Sequence, residues 1–118
     1  MIRIETSFIR NGFYFLQLKR EGRIALYEKV SVHPRTLLVE PDAVPSYEVV
    51  RIRIQEATTI TVGDKVFEVV EKEIYPRDNV WGLDGFSYNL YNEAVEFYNG
   101  LLEREKRKND KALTPEFT

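Results

Sequence analysis

His33 is the only imidazole in the chain. A general base or a metal site built on it would need carboxylate or further nitrogen partners in space. It stands directly before Pro34 at the end of a predicted strand, where an exposed loop is expected. Two clusters of carboxylates, VEPD at 39–42 and EVVEKE at 68–73, could pair for acid–base work or hold a hard cation. On a strand, however, Glu71 and Glu73 share one face, and there their charge reads as protection of an exposed edge. The chain contains no calcium loop of the form D-x-[DN]-x-[DN]-G, no G-x-S-x-G elbow, no P-loop and no G-x-G-x-x-G. It also has no cysteine, which excludes disulfides, thiolate zinc sites, iron–sulfur clusters and thiol catalysis. A non-catalytic protein without cofactor or metal is therefore expected.

What remains is binding chemistry, in two places. The stretch YPRDNVWGLDGFSY, 75–88, holds the only tryptophan and four aromatic residues within fourteen. Pro76 ends a strand because it cannot donate to a ladder, and Arg77-Asp78-Asn79 is turn chemistry. Gly82 and Gly85 let the chain bend twice, with Trp81, Leu83 and Phe86 folded inward beneath a helix start that Asp84 and Ser87 satisfy. The alternative use is as an anchor, since tryptophan, tyrosine and arginine close together are the usual composition of interface hot spots. The second place is the first meander. Phe13, Tyr14, Phe15 and Tyr27 are interleaved there with Arg10, Lys19, Arg20 and Arg23, and Arg51 and Arg53 form a further basic pair. Stacking faces beside cations suit a single nucleic-acid strand.

The charge is unevenly spread. The net charge is −2, yet residues 1–37 carry seven Lys/Arg against three Asp/Glu, and the remainder carries ten against sixteen. The acidic total argues against non-specific nucleic-acid binding, while the basic first third keeps a basic face available.

The positioning elements follow from turn chemistry and period. At 118 residues there is room for one domain. Asn11-Gly12, between SFIR and FYFL, predicts a type I′ hairpin. Glu21-Gly22 predicts a second turn, and together they set a register in which Ile9 faces Tyr14, Phe8 faces Phe15, Leu16 faces Tyr27, Leu18 faces Ala25 and Phe13 faces Val30. Strand 13–19 is apolar on both faces, so both need cover, and a partner chain is one source of it. A short edge strand is expected at Thr36–Val39 and a rigid loop around Pro41–Pro45. YEVVRIRIQ alternates, with Val50, Ile52 and Ile54 inward. TTITV and KVFEVVEKEIY pair about Gly63-Asp64, Ile60 opposite Phe67 and Thr58 opposite Val69, with a bulge at Val69-Val70. From about residue 88 to 108 the period is helical. Leu90, Tyr91, Ala94, Phe97, Tyr98, Leu101 and Leu102 form one stripe, Ser87 or Asn89 is the cap, Phe97 is the most available member, and Gly100 marks a close approach or an early end. Residues 109–118 read as a flexible tail.

The sum is an α+β domain: mainly an antiparallel β-sandwich or half-open barrel of about six or seven strands, closed by one C-terminal helix. The expected function is a protein-binding, adaptor or structural module that docks on a protein partner or on itself, in the style of an accessory protein of a virus or mobile element. Phe8, Phe13, Phe15, Trp81 and Phe86 are its candidate interface. The alternative is a single-stranded nucleic-acid binder using Arg10, Lys19, Arg20, Arg23, Arg51 and Arg53, and a third reading is a protein that binds a small ligand. The opening residues have no apolar signal region and no stretch is long enough to span a membrane, so a cytoplasmic location is expected.

Overall fold

The computed structural model describes residues 1–77 and 81–113, with side chains to Lys108. The α+β class holds: the chain is mainly antiparallel, with one C-terminal helix. Nine strands are present among the described residues, more than the six or seven expected. They are β1 Ser7–Arg10, β2 Phe13–Glu21, β3 Ile24–Ser31, β4 Ser46–Arg51, β5 Arg53–Gln55, β6 Thr58–Val62, β7 Lys65–Val69, β8 Lys72–Ile74 and β9 Gly85–Tyr88, followed by helix α1, Tyr91–Leu113. They form one five-stranded sheet in the order β1-β2-β3-β4-β9 and two ribbons, β5-β8 and β6-β7.

The first hairpin follows its sequence. Asn11 and Gly12 both take positive φ, 52° and 82°, and Phe8 pairs with Phe15 and Ile9 with Tyr14. The second departs from the expected register. Its turn residues are Gly22 and Arg23, and Leu18 is left unpaired as a bulge between Gln17 and Lys19. Tyr27 therefore opposes Gln17 instead of Leu16, Ala25 opposes Arg20 instead of Leu18, and Phe13 opposes Ser31 instead of Val30. The inserted residue has a packing reason: it turns Phe13, Phe15, Ala25 and Tyr27 to one side, where two evenly paired strands would have separated them.

The large sheet carries a core on each face. On one, α1 lays Ala94, Tyr98 and Leu101 over Ile24, Leu26 and Val49, flanked by Phe86, Tyr88 and Phe97. On the other, Phe15, Ala25, Tyr27 and Val50 meet Ile52 and Tyr75, with Ile4, Phe8, Phe13 and Trp81 around them. The second cover is thus a corner and a short ribbon of the same chain, where a partner chain was one expected source. The N-terminus is drawn into it: Ile2 bridges Lys72 and exchanges backbone hydrogen bonds with Glu71 and Glu73.

Four local expectations change. Residues 33–38 form a tight loop with Leu37 at φ 58°, closed by a single bridge between Val32 and Val39, in place of an edge strand. Ser87 lies within β9, so the helix starts later; the Leu90 carbonyl accepts its first bond, from Ala94 N–H. Gly100 faces open space and the helix continues to Leu113, beyond the point where a tail was expected. The ladder of β7 stops at Val69 with no bulge, and the chain crosses to the separate β5-β8 ribbon, where Ile54 is exposed. The predicted turn at Asp78-Asn79 and residues 114–118 lie outside the described residues.

Candidate functional site

The β6-β7 hairpin is set apart from the rest. Its register is the one the turn dictates, Ile60 opposite Phe67, Thr58 opposite Val69 and Val62 opposite Lys65. Pairs directly opposite share a face, so Ile60, Val62, Phe67 and Val69 form one apolar side. In a folded core such a side is covered. Here the two strands pack on each other and, among the described residues, make no substantial contact with any other element. Val62 is 62% exposed and Phe67 51%. The hairpin is an arm. A two-stranded ribbon with nothing on its apolar face is only marginally stable in water.

The five aromatic residues expected at an interface are used mainly inside the chain. Phe15 is buried; Phe8 stacks on it at 4.8 Å and meets Tyr27 and Tyr75 edge-on. Phe13 and Trp81 lie half-buried beside the same cluster. Phe86 faces the helix and packs against Phe97, 4.5 Å between ring centroids. Phe97 itself is half-buried there. Trp81 therefore packs on the sheet face opposite the helix, and Leu83 is exposed, whereas both were expected beneath the helix start.

The basic residues divide. Arg20, Arg23, Arg51 and Arg53 gather at the β2–β3 turn with Arg3 and Lys106, around two adjoining depressions. Arg10 lies at the other end of β2, and Lys19 is in register with Leu26 on the helix side. Three of these six cations are answered locally. Arg20 makes a two-pronged pair with Glu73, 2.9 and 2.5 Å, Arg51 meets Glu105 at 3.2 Å, and Arg53 meets Asp84 at 3.6 Å. The Arg20 guanidinium holds the Glu73 carboxyl below its usual range, helped by the Ile4 N–H and resisted by burial. Glu73 is thus an ion-pair partner, where its strand spacing read as an exposed charged edge. Asp84 and Ser87, expected to satisfy the helix N–H groups, instead engage Arg53 and Glu48.

His33 is exposed, and its Nδ1 accepts the backbone N–H groups of Arg35 and Thr36. Among the described residues no three His, Asp or Glu side chains come close enough to hold a metal ion.

One group carries chemistry that the sequence reading passed over. Glu48 is the one buried charged residue among those described. Its Oε1 accepts the Tyr75 hydroxyl at 2.6 Å, and its Oε2 lies 3.4 Å from Lys29 Nζ and 3.5 Å from Ser87 Oγ. Trp81 Nε1–H donates to Ser87 Oγ at 3.0 Å, extending the chain of donors. Burial, reinforced by the carboxylate beside it, pushes the Tyr75 phenol far above its ordinary range, so it remains a donor to Glu48. Lys29 Nζ sits 4.2 Å above the Phe13 ring, and the Arg10 guanidinium 5.6 Å over Tyr75. Together they border a cleft of about 410 Å³. The signal was present in the strand period: Glu48 is in phase with Val50 and Ile52, which point inward.

No protein-family model, curated protein or solved structure matches this chain. Among the described residues no helix is long and apolar enough to cross a membrane.

Proposed function

We propose that the chain is a non-catalytic protein-binding module of the cytoplasm that docks through the β6-β7 arm, and that a second copy of itself is its first partner. The observation that supports this is the apolar side of the arm, where Ile60, Val62 and Phe67 stand about half-exposed beside Val69 and no other element among the described residues makes substantial contact with it. Full burial of such a side chain is worth about 1.5–3 kcal/mol, so covering three that stand half-exposed contributes roughly 3 kcal/mol before any strand pairing. Both edges of the ribbon also offer free backbone groups to a further strand. The docking element therefore moves from the meander, whose rings are packed internally, to the arm.

The test is the solution mass of wild type and of the double variant Ile60→Lys/Phe67→Glu by light scattering across concentration. The two positions are directly opposed, so the introduced charges pair and preserve the ladder. A wild-type assembly that persists in sulfate and disappears in the variant, with the variant still folded by circular dichroism, supports the reading. A wild type that is monomeric at every concentration and behaves like the variant overturns it.

A further inference from the structure

We infer that the cleft over Glu48 is a binding site for a small anion carried on a flat ring. It lies on the sheet face away from the helix, between the β1–β2 turn and the Trp81 corner, and is separate from the arm.

The charge at its mouth fixes the sign of the ligand. Glu48 is answered by Tyr75 and Lys29. Arg10 is not: among the described residues no carboxylate lies within ion-pair distance of it, and its guanidinium rests on the Tyr75 ring. Among the described residues, two cations thus border a cleft that contains one carboxylate. A cationic guest would have to displace Lys29, which already occupies the place between Phe13 and Glu48 that such a guest would take. An anion needs no displacement. Lys29 retains N–H donors beyond the one directed at Glu48, and a guanidinium receives carboxylate or phosphate oxygens in pairs.

The walls fix the rest. Phe13, Phe15, Tyr75 and Trp81 line the cleft with aromatic surface, and its volume of about 410 Å³ suits one ring with its substituent. The cost of burying Glu48 also gains a reason. A valine at this central position would pack without desolvating a charge, whereas Glu48 holds Lys29 in one place over Phe13 and aims it at the cleft. Glu48 is here a positioning residue, and Arg10 and Lys29 are the ligand contacts.

Trp81 is the only tryptophan in the chain, so its indole N–H gives one resolved signal in a nitrogen–proton correlation spectrum. That signal, from the proton donated to Ser87, is followed while benzoate, phenyl phosphate, cyclohexanecarboxylate and inorganic phosphate are added in turn. The inference expects saturable movement with benzoate or phenyl phosphate, and the tighter of the two identifies a carboxylate or a phosphoryl ligand. Cyclohexanecarboxylate and inorganic phosphate should bind about tenfold more weakly or worse. Arg10 is half-exposed, and among the described residues its side chain makes no hydrogen bond, so Arg10→Gln should leave the remaining spectrum in place while weakening the aromatic anion by about tenfold. No saturable movement with either aromatic anion overturns the inference. So does equal affinity in Arg10→Gln, or inorganic phosphate binding as tightly as phenyl phosphate.

Discussion

Gly85→Ala should destabilise this protein, although alanine would ordinarily be the better residue at that position. Gly85 lies in β9 opposite Val50, and its backbone is not in the left-handed region, so nothing in its own conformation demands glycine. Within a strand, replacing glycine by alanine gains about 0.5–1 kcal/mol. The obstacle is Trp81, whose ring lies where the new methyl group would be built, in contact through Cζ3, Cε3 and Cη2. The indole must therefore leave. Emptying a fully buried tryptophan site costs about 3–5 kcal/mol; Trp81 is half-buried, so roughly 2 kcal/mol applies. Losing the hydrogen bond to Ser87 adds about 1 kcal/mol. After the gain at the backbone the net loss is about 2 kcal/mol. At roughly 3–5 °C per kcal/mol for a chain of this size, the melting temperature falls by about 6–10 °C. Thermal unfolding followed by Trp81 emission reads both consequences, since the expelled indole should also emit at longer wavelength. The decisive control is the same change in Trp81→Ala, where the obstacle is gone and Gly85→Ala should be neutral or stabilising. Equal cost in both backgrounds would refute the reasoning, as would a single variant that melts with wild type and keeps its emission.

Further outcomes are expected elsewhere. Glu73→Gln should cost about 1–3 kcal/mol at neutral pH by breaking its pair with Arg20. Because the folded pKa of Glu73 is depressed, that contribution is complete above the unfolded value of 4.5 and is lost as pH falls through the lower folded value. Urea midpoints of variant and wild type should therefore converge in acid; a gap that persists there would count against the pair. Tyr75→Phe removes the donor to Glu48 Oε1 and should cost about 1–3 kcal/mol, measured by urea unfolding; an unchanged midpoint would mean that Glu48 is satisfied without it. In the unassembled chain, amide exchange among the strands should be fastest in β6 and β7, because among the described residues the arm makes no substantial contact with another element. Protection there equal to that of β3 in a proven monomer would contradict an uncovered arm.

The local parts of this architecture were legible in the sequence. Asn-Gly and Gly-Asp encode tight turns through positive φ, and the pairs Phe8–Phe15 and Ile60–Phe67 follow from loop length alone. A helical period over Ala94, Tyr98 and Leu101 sufficed to place a helix against a sheet. The tertiary structure decided the rest. Whether Tyr27 opposed Leu16 or Gln17 depended on a bulge at Leu18, which no turn residue announces and which serves to bring distant aromatic rings to one face. GFSY reads as the approach to a helix and became a strand because β4 had a free edge beside it. Glu73 joined Arg20, 53 residues away in sequence, and Glu48 joined Tyr75 at a distance of 27. Turn and period act through neighbours along the chain, so a sequence states them directly. Register, ion pairs and the cover of each face depend on which remote segments meet, and only the folded chain settles that.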